Sequence, residues 1–188
     1  EGFVRVPFND LAAVDQAAQA HPDIVAVLVE PIQGEGGIQV PDAGYLAGLR
    51  TRCDRHGWLF MVDEVQSGTG RTGAWLASQR AGVTPDVVTL AKALGNGVPI
   101  GACLARGAAA ETLGPGSHGS TFGGNPLAAQ AARTVLDVIT RDGLMDRAAT
   151  LGDQMQARFR AAFADEPGVR AVRGDGLMLG IELDRPCT

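Results

Sequence analysis

The sequence predicts an α/β fold with a mostly parallel sheet, followed by a smaller α+β unit. Short apolar segments, partly β-branched, alternate with a helical pattern in the first part of the chain. Two long helical patterns and two further strand patterns follow. The 188 residues, 45% hydrophobic and 20% charged, suffice for one domain or for part of a larger one.

The first half of the chain predicts a strand, helix, strand unit. A helix over residues 42–56 ends at Gly57, and a strand, helix, strand order of this kind makes a right-handed crossover in a parallel sheet. One face of this helix carries Tyr45, Leu46, Leu49 and Cys53. We predict four strands, at residues 24–30, 58–63, 86–90 and 100–105.

The second half predicts two helices and a separate layer of strands. Asn125 and Pro126 form a good helix start, and the next helix stops at residues 166–168. The predicted buried faces are Leu127, Ala131, Val135 and Val138 in the first helix, and Leu144, Ala148, Leu151, Met155, Phe159 and Phe163 in the second. Strands at 169–173 and 177–183 complete the smaller unit. We expect one unit at residues 1–142 and the other at 143–188.

Charge and composition narrow the function classes. The net charge of -5 and the lack of a basic block argue against nucleic acid or a membrane surface as partner. The longest aliphatic run, residues 24–29, is too short to span a bilayer, and no signal-peptide pattern is present. We therefore expect small-molecule substrates.

The cysteines and histidines predict neither disulfides nor a metal site. Cys53, Cys103 and Cys187 are widely separated and odd in number, which is typical of reduced structural thiols in a cytosolic protein. The three histidines are equally scattered.

Lys92 is the single lysine beside 15 arginines among the 16 basic residues. A genome that favours arginine codons explains the scarcity, but it leaves open why this position needs an amine. Lysine can lose its proton and form a Schiff base, whereas arginine can do neither.

Polar residues follow three predicted strands where a ligand crevice is expected. Glu30, Asp63 and Lys92 stand at or just beyond strand ends, and the carboxyl ends of parallel strands line the crevice. Asp63 and Lys92 are one crossover unit apart, so an acid and an amine would face one cleft. A buried Asp–Lys ion pair is the alternative. Because a buried carboxylate needs a partner, either Asp63 or Glu64 should meet an arginine, a metal or a charged ligand.

Four motifs occur in order along the chain: EPIQGEGG at 30–37, DEVQSGTGRTG at 63–73, LAKALGNGVPIGA at 90–102 and GSTFGGNP at 119–126. They carry a resemblance that covers essentially the whole chain. The sequence resembles the class III pyridoxal-phosphate-dependent aminotransferases, and within them the acetylornithine, succinylornithine and ornithine branch. A lone G-x-G-x-x-G match at residues 68–73 is a weak dinucleotide-binding signal beside it.

The resemblance implies a fold-type I transferase and a set of cofactor contacts. It makes residues 1–142 part of the large cofactor-binding domain and 143–188 the start of the small C-terminal domain. It implies that Lys92 holds the cofactor aldehyde and moves the substrate proton, and that Asp63 lies against the pyridine nitrogen. Val65 would pack on the ring, Gln66 would bind its phenolic oxygen, and Glu64 is placed in the same cofactor-binding motif.

Other contacts are implied at the dimer interface and the substrate. Thr121 would bind the cofactor phosphate of a neighbouring subunit, Ser120 would lie nearer the substrate, and Glu35 would also serve substrate binding. Ordinary helix capping is the alternative for Ser120 and Thr121, and Arg71 is open to interpretation as a surface charge.

The function implied is transfer of an amino group from N-acetylornithine to 2-oxoglutarate by a ping-pong mechanism, in arginine biosynthesis, by a cytoplasmic homodimer. Ornithine, succinylornithine and 4-aminobutyrate aminotransferases remain alternatives, as does a non-catalytic folding or association fragment. The resemblance also implies an internal fragment that lacks an N-terminal phosphate loop and substrate arginines.

Overall fold

The computed structural model describes residues 2–186 and contains two sheets. The larger sheet holds β1, β2, β3 and β4 side by side in chain order. The first three strands are parallel and β4 is antiparallel to β3, so the predicted mostly parallel sheet is confirmed. The strands are Ala26–Val29, Leu59–Asp63, Val87–Leu90 and Ala102–Ala105.

One face of this sheet is covered by α1 (Leu11–Ala20) and α2 (Tyr45–His56). The predicted apolar face of α2 is confirmed, since all four of its residues are buried with Phe60 and Val62 of β2. Gly57 ends α2 with φ +69°, a left-handed conformation that glycine adopts without strain.

Cys53 and Cys103 are free thiols in very different surroundings. Burial against the sheet raises the pKa of the Cys53 thiol to about 11, so it stays protonated at neutral pH. Cys103 is exposed on β4. Cys187 lies outside the described residues.

Two long helices connect the larger sheet to the second one. Asn125 caps α5 (Pro126–Arg141) by accepting a hydrogen bond from Ala128 N at 3.0 Å, as predicted from the Asn-Pro pair. The predicted face of α5 is wrong at its start, because Leu127 is 76% exposed and the buried residues are Ala128, Ala132 and Ile139. The helix therefore packs through its small side chains in the first turns.

The second sheet is a hairpin of β5 (Val169–Asp175) and β6 (Met178–Leu183), antiparallel and separate from the first. The helix α6 (Leu144–Ala162) packs against it so closely that a Cβ on Gly152 would overlap the Gly176 backbone. The predicted smaller layer is thus present. The division between residues 142 and 143 stays a prediction, and it falls where Gly143 separates α5 from α6.

Short elements complete the chain: α3 (Ala77–Arg80), a 3-10 turn (Lys92–Leu94) and α4 (Ala108–Glu111). Both edges of the larger sheet are open within residues 2–186. All four β4 residues are exposed, as are Val25 and Leu28 near the other edge. No helix in the part of the chain that the structure describes is long and apolar enough to cross a bilayer.

An ion-pair network around Asp86 ties α2 to the sheet. The Asp86 carboxylate accepts hydrogen bonds from Phe60 N at 2.9 Å and from Arg50 Nη1 at 2.7 Å, and Arg106 lies at 3.5 Å. The Arg50 guanidinium also lies over the Phe60 ring, 5.4 Å from its centroid. Partial burial alone would raise the pKa of Asp86, but the Phe60 N–H and the Arg50 guanidinium outweigh it and hold that pKa below its ordinary value.

We expect Asp86→Asn to lower the free energy of unfolding at pH 7 by about 1–3 kcal/mol, because charge-assisted hydrogen bonds are lost. A carboxyl group with a depressed folded-state pKa stabilises the protein above its unfolded pKa and loses that contribution as the pH falls. The difference between variant and wild type should therefore shrink below about pH 4. Urea unfolding at pH 7 and at acidic pH measures this difference in the free energy of unfolding.

Asp54→Asn is the matched control, because Asp54 also pairs with Arg50 but its side chain is 65% exposed. We expect an effect below about 0.5 kcal/mol there. An Asp86→Asn destabilisation that is equal at both pH values would contradict the electrostatic explanation.

Candidate active site

A cavity of about 580 Å³ opens beyond the carboxyl ends of β2 and β3. Its size falls within the usual range of ligand pockets, about 300–1,000 Å³. The two strands run parallel with Asp63 paired to Thr89, three residues before Lys92. The wall is formed by Val65, Gln66, Arg71, Lys92, Ala93, Asn96 and residues 97–100.

Lys92 has a strained backbone. Its φ is +43°, and it begins the 3-10 turn in which its carbonyl accepts from the Gly95 and Asn96 N–H groups, each at 3.2 Å. A left-handed conformation costs a residue with a side chain roughly 1–2 kcal/mol, and such strain is concentrated at functional sites. The turn closes tightly, because a Cβ on Gly95 would overlap the Val98 carbonyl.

Asp63 ends β2 with one carboxylate oxygen in use. Oδ1 accepts a hydrogen bond from Val65 N at 2.9 Å, which fixes the side chain at the strand end. The other oxygen receives no hydrogen bond from residues 2–186. That oxygen is free to accept a positively charged ligand group, so the predicted contact of Asp63 with such a group stays a prediction.

Glu64 is enclosed by protein and is not part of the cavity wall, and its predicted contact with the cofactor stays a prediction. It is only 1% exposed. Its Oε2 accepts from Ser67 Oγ at 2.6 Å and from Ala77 N at 2.9 Å, and its Oε1 accepts from Ser78 N at 2.8 Å. Three neutral donors satisfy this carboxylate, so its part is to join the 64–67 turn to α3.

Gln66 lies against the loop formed by residues 33–39. A Cβ on Gly34 would overlap the Gln66 amide, so this loop rests directly on a wall residue of the cavity. Glu30 supports the loop by accepting from Gly34 N at 3.0 Å. Glu35 is exposed at the loop's tip and is not part of the cavity wall.

Ser120 and Thr121 lie in an exposed segment apart from the cavity wall. The Ser120 hydroxyl accepts from Gly123 N at 2.9 Å, which forms a local turn just before α5. The structure thus brings together Lys92, Val65 and Gln66 but leaves Ser120, Thr121 and Glu35 outside the wall.

Arg71 and Asn96 also belong to the wall, and neither is predicted as a site residue from the sequence. From the sequence alone, Arg71 is equally well interpreted as a charged surface residue, and Asn96 as a turn residue. The one sequence feature that could have identified them as site residues is their position, because both lie in loops that directly follow strands ending at the cavity.

These features fit pyridoxal phosphate. The Lys92 amine, the Val65 side chain and the Gln66 amide lie on the cavity wall. Asp63 is not a wall residue, but it ends the neighbouring strand with a carboxylate oxygen that accepts no hydrogen bond from residues 2–186. Lys92, Asp63, Val65 and Gln66 would hold the cofactor there. Residues 2–186 contain no group of three or more His, Cys, Asp or Glu side chains that could hold a metal ion.

Comparisons with known proteins agree with this chemistry. The family described as Aminotransferase class-III matches residues 5–188. An acetylornithine aminotransferase of Nitrosomonas europaea is 57% identical over 187 residues, which cover 100% of this chain and 48% of that protein. One of Corynebacterium efficiens is 52% identical, with 98% and 45% covered. The chain therefore spans about half the length of the curated relatives it matches.

Solved structures give the same picture. Ornithine aminotransferase from Toxoplasma gondii, described with partial occupancy of PLP at its active site, has a TM-score of 0.94 and 41% identity, covering 98% of this chain and 43% of that one. Acetylornithine aminotransferase from Elizabethkingia anophelis has a TM-score of 0.93 and 40% identity, covering 97% and 46%.

Proposed function

Because the chain belongs to the class III aminotransferases, which depend on pyridoxal phosphate, we propose that it forms part of an enzyme that transfers an amino group from N-acetylornithine to 2-oxoglutarate in two ping-pong half reactions. The observation that carries the proposal is the single lysine at the cavity wall, with the partly free Asp63 carboxylate at the neighbouring strand end. The acetylornithine aminotransferases among the relatives favour this donor.

Each side chain of the proposed cofactor site has a separate role. When bound, the cofactor supplies an electron sink for the negative charge that develops on the substrate carbon. Lys92 would hold the cofactor through its amine until the substrate amine displaces it. The released Nζ, as the neutral amine, would then carry the proton between the substrate carbon and the cofactor carbon. The free oxygen of Asp63 stabilises positive charge on the pyridine nitrogen, and Val65 and Gln66 fix the ring's orientation.

Further residues suit anionic substrates and a dimer. Both proposed substrates carry carboxylates, and Arg71 gives the cavity wall a positive charge near Lys92. Thr121 and Ser120, exposed on one segment, are proposed to bind phosphate and substrate across the interface of a homodimer, and Glu35 is proposed to contact substrate. Arginine biosynthesis in the cytoplasm is the proposed setting.

The test begins with the cofactor. The chain is incubated with pyridoxal phosphate, reduced with borohydride and digested, and the adduct is located by mass spectrometry. We expect one adduct per chain, at Lys92. Amino transfer is then compared among N-acetylornithine, ornithine, succinylornithine and 4-aminobutyrate, with N-acetylornithine expected to be the best donor. Scattered labelling, or none, would overturn the proposal for this chain.

A non-catalytic folding or association fragment is the second candidate. The fully exposed strand β4 favours it, because an unpaired strand edge invites another chain to pair with it. Stoichiometric labelling of Lys92 together with turnover would exclude this candidate.

We expect Asp63→Asn to slow amino transfer by about 10²-fold or more, since the variant loses the negative charge that stabilises the ring nitrogen. Its amide oxygen can still accept from Val65 N, so the fold should be retained. Steady-state rates with saturating cofactor measure the effect, and a circular dichroism melt checks the fold. A rate within twofold of wild type would contradict the role given to Asp63.

A further inference from the structure

The β5–β6 hairpin contacts two loops near the cavity: the loop that contains the wall residue Arg71, and the 33–39 loop, which rests on the wall residue Gln66. On one side Leu177 N donates to the Arg71 carbonyl at 3.0 Å, and Arg80 pairs with Asp175 at 2.9 Å. On the other side Arg173 Nε donates to the Gly37 carbonyl at 2.9 Å. The hairpin therefore holds both loops, one through Leu177 and the other through Arg173.

The Arg173 contact is held in place by the hairpin itself. The same guanidinium pairs with Glu182 on the adjacent strand, and its side chain is 24% exposed. The backbones approach closely here, because a Cβ on Gly180 would lie 3.0 Å from both the Gly37 carbonyl and the Ile38 Cβ. A forked guanidinium can serve the carbonyl and the carboxylate together, whereas a single ammonium cannot do so with the same geometry.

The 33–39 loop connects the Arg173 contact at Gly37 with the Gln66 amide. Gln33 and Gln39 exchange two backbone hydrogen bonds of 3.0 and 2.9 Å, which close the loop into a small hairpin. Ile38, beside Gly37, has φ +54°, a conformation it would not adopt without support. At the other end of the loop Gly34 rests on the Gln66 amide.

We propose that Arg173 is a positioning residue for the cofactor site. By holding the Gly37 carbonyl it fixes the 33–39 loop, and through Gly34 the loop keeps the Gln66 amide at the cavity wall. The identity of what Gln66 binds rests on the proposed function, but the mechanical link from Arg173 to Gln66 does not. The competing explanation is that Arg173 only joins β5 to β6 through Glu182.

Amide hydrogen exchange tests the link in the chain without any cofactor. In Arg173→Ala the Gln39 and Ile38 amides should exchange about tenfold faster, because the loop loses one anchoring hydrogen bond. Arg170→Ala is the control: Arg170 lies on the same strand and donates only to the Asp184 carbonyl at 3.2 Å, and it should leave these amides unchanged. Arg173→Lys gives an intermediate rate and keeps the test available if the alanine variant folds poorly. Unchanged exchange in both Arg173 variants would overturn the proposal.

Cofactor affinity tests the consequence. The dissociation constant of pyridoxal phosphate is measured by absorbance for wild type, Arg173→Ala, Gln66→Ala and the double variant. If Arg173 acts through Gln66, each single variant weakens binding severalfold and the double variant is no weaker than Gln66→Ala alone. If the double variant weakens binding by the product of the two single-variant factors, the link is overturned. A wild-type chain that binds no cofactor would count against the proposed function, while the exchange rates would still decide the role of Arg173.

Discussion

Replacing Lys92 with glycine is expected to abolish cofactor attachment and amino transfer while leaving the protein slightly more stable than Lys92→Ala. Both variants lose the only amine that the cavity offers. They differ in the backbone, because at φ +43° alanine keeps the strain and glycine does not. Relief of roughly 1–2 kcal/mol outweighs glycine's entropic cost of roughly 0.5–1 kcal/mol.

The two variants are compared by urea unfolding, and their borohydride-fixed adducts are counted by mass spectrometry. At an ordinary helical position glycine is the less stable of the pair, so the expected order is the reverse of the usual one. An alanine variant more stable than the glycine variant would show that the Lys92 backbone carries no strain. A remaining stoichiometric adduct would show that the cofactor binds another amine.

Replacing Glu64 with alanine should produce the largest loss of stability, roughly 3–5 kcal/mol, because three buried donors lose their acceptor at once. The donors are the Ser67 hydroxyl and the Ala77 and Ser78 N–H groups. Glu64→Gln keeps the volume and one acceptor oxygen, but it turns an NH₂ group toward one of these donors. Glu64→Gln should therefore lower the free energy of unfolding by a substantial part of the loss expected for Glu64→Ala, as measured by the urea midpoint.

Glu166→Ala provides the comparison. Glu166 is exposed, and its carboxylate accepts only a long bond of 3.4 Å from Gly168 N. We expect that change to stay within about 0.5 kcal/mol of wild type. Equal effects at residues 64 and 166 would mean that the buried hydrogen bonds of Glu64 contribute nothing net.

The strands were predictable because their apolar runs are short and bounded by turn residues. Helix α2 was predictable because its buried residues recur at helical spacing and Gly57 ends it. Helix α1 was missed, since Val14 is its only buried residue and its other positions are mostly alanine and polar. Hydrophobic periodicity this weak does not predict a helix. The N-cap Asp10, which accepts a hydrogen bond from Ala13 N, was not enough to identify α1.

Strand direction and the choice between neighbouring acids depend on tertiary structure. The antiparallel course of β4 follows from the turn through residues 95–101, where no sequence signal fixes the direction. Asp63 and Glu64 are adjacent and identical in charge, yet Asp63 keeps one carboxylate oxygen without a hydrogen bond from residues 2–186, whereas Glu64 is enclosed by α3. Only the position of α3, a helix of four residues, separates their roles.

The site was partly predictable for a chemical reason. A single lysine and an aspartate at neighbouring strand ends are visible in the sequence, because residue type and chain spacing carry the information. The parts played by Arg71 and Asn96 depend on loop conformation, which spacing does not determine.

The hydrogen bond from Arg173 to Gly37 joins residues 136 positions apart, and this separation has a consequence for the order of folding. Closing so long a loop costs chain entropy before any contact compensates for it. The crossover β1-α2-β2 and the β5–β6 hairpin are local and can form first. We therefore expect the 33–39 loop to gain its final shape late, so that competence to bind cofactor should lag behind the recovery of secondary structure during refolding.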